Sequence, residues 1–251
     1  MRHLFSYRFV KGDVAGHNLG NLFLTALSDI RGSGAAAIEG ASTTLRIKGT
    51  VLPVSLEPAT LVAKLENGET LVGEHVIDER VLGRSRITEL STRESVEANP
   101  KALEAIKGAK VIVLGPGDLY ASTLADFAVT GIADAVRTSK AKLVYIVNLF
   151  TKAGQTDGLS ASQHVAEIEK HVGRKPDAIL VHSGSFAEDV LLRYAKENEY
   201  PVPDDLPQGA SIIRGQFADI VVAEKIEGDS VPRSLIRHNS AKIASAIEKL
   251  L

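Results

Sequence analysis

Residues 111–123, VIVLGPGDLYAST, constrain the fold more than any other stretch of this chain. Val111, Ile112, Val113 and Leu114 are four apolar residues in a row, the signature of a fully buried strand. The run breaks at once into Gly115-Pro116-Gly117 and then into Asp118, Ser122 and Thr123. A buried strand ending in a Gly-rich turn exposes backbone N–H groups at the carboxyl edge of an α/β sheet, a natural place for a phosphate-bearing ligand.

The surrounding periodicity supports such a sheet. Strands are expected at 143–148 and 178–182. Each runs into a polar loop and then a helical pattern, which gives three parallel strands with right-handed crossovers and helices on both faces. Strand-like segments follow at 210–214 and 219–224. Asn99-Pro100 reads as an N-cap with Pro at the first helical position, and Gly108 closes that helix. Helical segments are expected at 119–127 and 131–139. Ser160 with Gln163, and Ser185 with Glu188, read as capping boxes for helices to about 171 and over 186–197. Asn239 reads as the cap of a last helix, 240–250.

The first third has a different rhythm. Leu4, Phe5, Tyr7 and Phe9 hint at a short strand or a docked arm. Residues 17–30 and 34–46 read as helices, and Gly20 inside the first marks close approach by another backbone or a ligand. The period then changes to two. Strands are expected near 50–56, 60–66, 70–77 and 84–90, with Asn67-Gly68 as a type I′ hairpin turn. The whole reads as a Rossmann-like α/β fold carrying a small inserted antiparallel β subdomain.

Composition narrows the function. Lys and Arg total 29 against 31 Asp and Glu, a net charge of −2. That balance leaves no electrostatic footprint for nucleic acid or an anionic membrane. There are no cysteines, which excludes thiol catalysis, disulfides and Cys-based zinc sites. No apolar run approaches the ~18 residues of a membrane span, so a cytoplasmic protein without membrane insertion is expected. The chain lacks G-x-x-x-x-G-K-[ST], a full G-x-G-x-x-G, H-E-x-x-H and G-x-S-x-G.

The three loops after the strands emerge on one edge of a parallel sheet. They bring together Gly115, Gly117, Ser122, Thr123, Asn148, Thr151, Thr156, Asp157, Gly158, His182 and Ser183. Neutral donors and backbone amides with one carboxylate suit a phosphate and a sugar better than acid–base cleavage. His17, at a helix start, is placed to meet an anion. Arg237-His238, before the last helix, has the chemistry of a phosphate clamp.

Four stretches together resemble a known family: GHNLGNLFL (16–24), VIVLGPGDLYAST (111–123), NLFTKAGQTDGLSASQH (148–164) and LIRHNSAKIASAI (235–247). They are similar to the gluconeogenesis-factor, or YvcK-like, branch of the CofD-like superfamily that includes 2-phospho-L-lactate transferase. The resemblance spans nearly all of the chain. It implies one CofD-like α/β domain over 1–251 with a β subdomain inserted at about 48–92. It also implies a regulator of carbon metabolism and of cell-wall precursor supply and cell shape. The implied ligand is a UDP-sugar such as UDP-N-acetylglucosamine, and no catalytic residue is assigned. The alternative is a phospholactate-type transferase acting on a nucleotide-activated acid, for which magnesium would be the cofactor. A homodimer and a regulated protein partner complete the expectation.

Carried over by motif, Gly115, Gly117, Ser122 and Thr123 line the nucleotide-sugar site, with Thr156, Asp157 and Gly158 beside them. His17 and Asn21 face the same cleft from the first helix, and Arg237 matches an arginine used for the nucleotide sugar. The sequence departs from the family in two ways. Relatives begin with a strand, a Gly-Gly-Gly-Thr-Gly phosphate loop and an acidic Asp-Asp stretch, and this chain starts after both, as an inactive truncated fragment would. Lys152-Ala153 and Gln155 stand where relatives commonly have Gln-Pro and Glu, a change that favours phosphate or alters specificity.

Overall fold

The structure is a computed structural model that describes residues 2–5, 7–79, 85–220 and 236–251. Its centre is a four-stranded parallel sheet of β4 (Val111–Leu114), β5 (Lys142–Ile146), β6 (Ala178–His182) and β7 (Ile212–Gly215), in that spatial order. The segment expected as strand-like at 210–214 is the fourth parallel strand, with Ile179 opposite Ile212 and His182 opposite Gly215. Three parallel strands were expected, and the structure adds β7 to them.

Both faces of this sheet are covered, which explains its uninterrupted apolar runs. On one face Leu143 and Tyr145 pack with Ile168 and Val172 of α7 (Ala161–Val172) and with Ala63, Ile77 and Ile87 of the small β unit. On the other, Val144, Ile146, Ala178 and Leu180 meet Phe217 and Ile243 and Ala246 of α9 (Ser240–Glu248). Each of these large side chains contributes about 1.5–3 kcal/mol by leaving water. The edge strand β4 differs. Among the described residues it pairs only with β5, and Val113 is 40% exposed.

Local signals set the helix ends. Asn99 accepts a hydrogen bond from the Lys101 N–H and precedes Pro100 at the start of α5 (Pro100–Gly108). The Ser160–Gln163 capping box is formed in both directions at α7. Asn239 accepts from the Lys242 N–H to cap α9. The expected box at Ser185 and Glu188 does not form: α8 (Glu188–Lys196) starts after Ala187 with no side-chain cap. Phe186 there lies 4.8 Å from Phe150 and 4.9 Å from His182 between ring centroids, and these contacts hold the entry extended. The 119–127 segment is a π-helical turn (Leu119–Thr123) followed by a 3-10 turn (Ala125–Ala128), and α6 spans Ile132–Thr138.

The first third forms two smaller units. α1 (Arg2–Phe5), where a short strand or arm was expected, lies on α2 (Leu19–Arg31), which packs against α3 (Gly34–Leu45). Gly20 permits this contact, since a Cβ there would sit 2.9 Å from the Phe5 carbonyl oxygen. The small sheet contains β1 (Leu61–Leu65), β2 (Thr70–Val72) and β3 (Ile87–Thr92), antiparallel in the order β2-β1-β3. The 50–56 segment is not a strand. It is tied down by the Asn99 N–H and side-chain amide, which donate to the Val54 and Pro53 carbonyls at 2.7 and 2.9 Å. Pro53 has no N–H for a ladder. The strand expected at 70–77 stops at Val72, because Gly73 turns to φ 99° and α4 (Glu74–Asp78) follows. The hairpin turn is not type I′, which needs two left-handed residues. Only Gly68 is left-handed, and the Asn67 side chain instead accepts from the Glu69 N–H. Residue 84 of the expected 84–90 strand and residues 221–224 of the expected 219–224 strand lie outside the described residues. A two-stranded antiparallel ribbon, β8 (Ala218–Ile220) with β9 (Ile236–His238), leads into α9.

Candidate functional site

The carboxyl ends of β4, β5 and β6 share one edge of the sheet, and the loops after β4 and β5 are locked together. Gly115 has φ 78°, and a Cβ on it would lie 3.2 Å from the Ile146 carbonyl oxygen. Gly117 passes so close to the next turn that a Cβ would lie 3.3 Å from Ser122 Cβ. The Asn148 amide donates to the Gly117 carbonyl at 2.8 Å, which fixes the Gly-rich turn to the end of β5. The Ser122 and Thr123 N–H groups both donate to the Asp118 carbonyl. The Ser122 side chain is exposed beside this turn.

The 148–158 loop is held by its own polar groups. Thr156 is 2% exposed, and its hydroxyl accepts from the Lys152 N–H at 2.7 Å. Asp157 accepts from the Gly154 N–H at 3.1 and 2.9 Å, and Gly158 takes a left-handed φ of 67°. Thr151, also buried, exchanges hydrogen bonds with the backbone of Tyr200. Thr156 and Asp157 therefore build the loop. Gly158 and Ser122 are the exposed members of the expected set here.

A polar knot lies beneath the Gly-rich turn. Gln155, 5% exposed, donates to Asp78 at 3.0 Å. The Lys152 ammonium lies 3.9 Å from Asp78 and 4.0 Å from Glu199. Burial raises the Asp118 carboxyl above its usual range, partly opposed by Lys152 and reinforced by Asp78. Burial likewise raises Glu199. The knot joins the small β unit, the Gly-rich turn and the 148–158 loop around one lysine. Among the described residues, no cluster of three or more His, Asp or Glu has the arrangement of a metal site.

Clefts open on the other side of the edge. One of ≈ 500 Å³ is lined by Asn148, His182, Ser183, Phe186, Val202 and Asp204. A second, ≈ 220 Å³, continues past His182 to Gln216, Asp219 and Ile236. A cavity of ≈ 570 Å³ between α3 and residues 46–53 lies away from this edge, with Arg46, Asn99 and Lys101 in its wall.

His17 and Asn21 are exposed at the start of α2, whose packing is against α1 and α3. Arg237 is exposed in β9, while its neighbours Ile236 and His238 are buried and half-buried. His238, not Arg237, reaches the sheet: its Nε2 lies 3.2 Å from the Val147 carbonyl oxygen. Sequence reasoning missed Asp78, whose role depends on a partner 77 residues away. His238 is one half of the expected Arg237-His238 clamp, and alternation along β9 turns it toward the sheet while Arg237 is exposed.

The family profile described as 2-phospho-L-lactate transferase CofD matches residues 1–218. The chain belongs to the CofD family. A Thermotoga maritima protein is 39% identical over 247 residues, covering 98% of this chain and 76% of that protein. The gluconeogenesis factor of Halalkalibacterium halodurans is 36% identical over 249 residues, covering 98% and 74%. A crystal structure of a Bacillus halodurans protein superposes with a TM-score of 0.87 at 34% identity, covering 98% of this chain and 77% of that one. Within the CofD family, this chain is thus similar to gluconeogenesis factors along nearly its whole length. Among its described residues, no helix is long and apolar enough to cross a membrane.

Proposed function

We propose that this chain binds a nucleotide sugar of the UDP-N-acetylglucosamine class at the carboxyl edge of the parallel sheet. On this reading it is a cytoplasmic regulator linked to carbon metabolism and to cell-wall and cell-shape control, acting as a homodimer on a protein partner. The supporting observation is the Asn148–Gly117 clamp beside the ≈ 500 Å³ cleft. It holds a Gly-rich turn rigidly next to a concavity of the size small ligands use. Membership alongside gluconeogenesis factors supports the metabolic role.

The test is the melting temperature with UDP-N-acetylglucosamine. A ligand of the native state at a hundred times its Kd adds about 2.7 kcal/mol, so a clear upward shift is expected. No shift at millimolar ligand overturns the reading. The match to the transferase profile favours a second reading, transfer of a phospholactyl-type group from a nucleotide-activated acid with magnesium. That reading requires magnesium-dependent turnover.

A further inference from the structure

His182 closes β6 on the face that carries α9, and its ring separates the two clefts. Both ring nitrogens are shielded from solvent, and among the described residues neither makes a well-formed hydrogen bond, the Gly184 backbone being the polar group that comes near the ring. Leaving such groups unsatisfied is costly in a folded protein. The ring is nevertheless held in place. A Cβ at residue 184 would lie 2.7 Å from His182 Nε2, so Gly184 leaves the room the ring occupies. Phe186 packs on it from the other side, at 4.9 Å.

The charged groups around this ring come from several elements. Lys242 of α9 faces it and is paired with Asp219 of β8 at 3.3 Å. Asp219 also accepts from the Asn239 amide. Arg214 of β7 is paired with Asp204 in the wall of the larger cleft. His238 of β9 is near enough for the two imidazoles to act on each other electrostatically. The local carboxylates are thus already engaged by Lys242 and Arg214, and the two histidines are the groups left to accept charge. The N-terminus of α9 adds partial positive charge beside them.

We propose that His182 forms the anion-holding wall of the cleft, with His238 as its electrostatic neighbour, and that the pair takes up protons from solvent as a phosphate-bearing ligand enters. This rests on the reading that the sheet edge binds a nucleotide sugar. Without ligand, burial holds both imidazoles below the ordinary histidine value, with Lys242 adding to the effect at His182 and His182 at His238. They are therefore neutral near neutral pH. A ligand anion reverses that balance, so ligand binding and proton binding are linked.

UDP-N-acetylglucosamine is the suitable probe, because its diphosphate diester keeps both charges across the range in which histidine titrates. Calorimetric titration at about pH 5.5 and about pH 8.5, in two buffers of different ionisation heat, should show affinity at least about tenfold tighter at the lower pH, with net proton uptake. His182→Gln and His238→Gln should each flatten that dependence, with circular dichroism confirming that the variants are folded. Binding by the wild-type chain without pH dependence or proton uptake overturns this inference and leaves the nucleotide-sugar reading standing. If the wild-type chain does not bind the nucleotide sugar at either pH, that reading falls instead. Sulfate, whose charge is also fixed, then tests the histidines directly: it should raise the NMR titration midpoints of both, and unmoved midpoints overturn the inference.

Discussion

Strands β4 and β5 are written in the same alphabet and meet different fates. VIVL in β4 and LVYI in β5 both read as fully buried. In β5, Leu143, Val144, Tyr145 and Ile146 are each at most 2% exposed. In β4 only Leu114 is buried and Val113 is 40% exposed. The difference is place in the sheet, since β5 has a strand on each side and, among the described residues, β4 has β5 alone. The loops that follow diverge in the same way. The loop after β5 satisfies its own polar groups through Thr156 and Asp157, whereas the turn after β4 depends on Asn148 of the other loop.

That contrast sets an order of effects. Leu143→Ala should cost about 2–5 kcal/mol in urea unfolding, because it opens a cavity among fully packed neighbours. Val113→Ala should cost well under half as much, and equal losses would mean the β4 edge is covered in solution. Asn148→Ala should cost about 1 kcal/mol and weaken nucleotide-sugar binding, since it frees the Gly117 carbonyl and unpins the turn. Thr123→Val, which removes only a 3.4 Å bond to the same carbonyl, should do less.

Lys152→Met should also cost about 1 kcal/mol at neutral pH, because Asp78, Asp118 and Glu199 then face one another without a cation. Raised carboxyl values at Asp118 and Glu199 mean that they protonate first as pH falls. The penalty of the variant should therefore shrink on acidification. A penalty independent of pH would show that Lys152 acts by packing alone.

The smallest effect concerns histidine. Burial holds His164, His182 and His238 below the ordinary value. The unfolded chain then binds more protons than the folded one at mildly acid pH, so the stability these neutral rings contribute is full above about pH 6.5 and is lost as pH falls below it. Melting temperature should be level above neutrality and decline below it. His164→Gln should lessen the decline, because His164 is completely buried with its Nε2 unpartnered among the described residues.

Local chemistry was legible wherever its partners are neighbours in sequence. The Asn99-Pro100 start, the Ser160–Gln163 box and the Asn239 cap each close within three residues, and each is present. Ser185–Glu188 failed because Phe186 is drawn into an aromatic cluster with Phe150 and His182, which no local pattern announces. The Asn67-Gly68 pair marks the place of the turn but not its type, since the Asn67 side chain accepts from the Glu69 N–H. At the candidate site, the Gly115–Gly117 turn and its closeness to Asn148 followed from parallel topology. The Lys152 knot and the inward turn of His238 did not.

By itself, the sequence determined the alternation of strands and helices, the caps, and the edge on which the Gly-rich turn emerges. These depend on periodicity and on hydrogen bonds that span a few residues. Only the tertiary structure decided that VIVL is an open edge among the described residues while LVYI is a core, that Thr156 builds its loop, and that His182 lines two clefts while His238 reaches the Val147 carbonyl. Those outcomes depend on which distant groups share a solvent-shielded space, where an unpaired polar atom or an uncovered apolar face has its largest energetic effect.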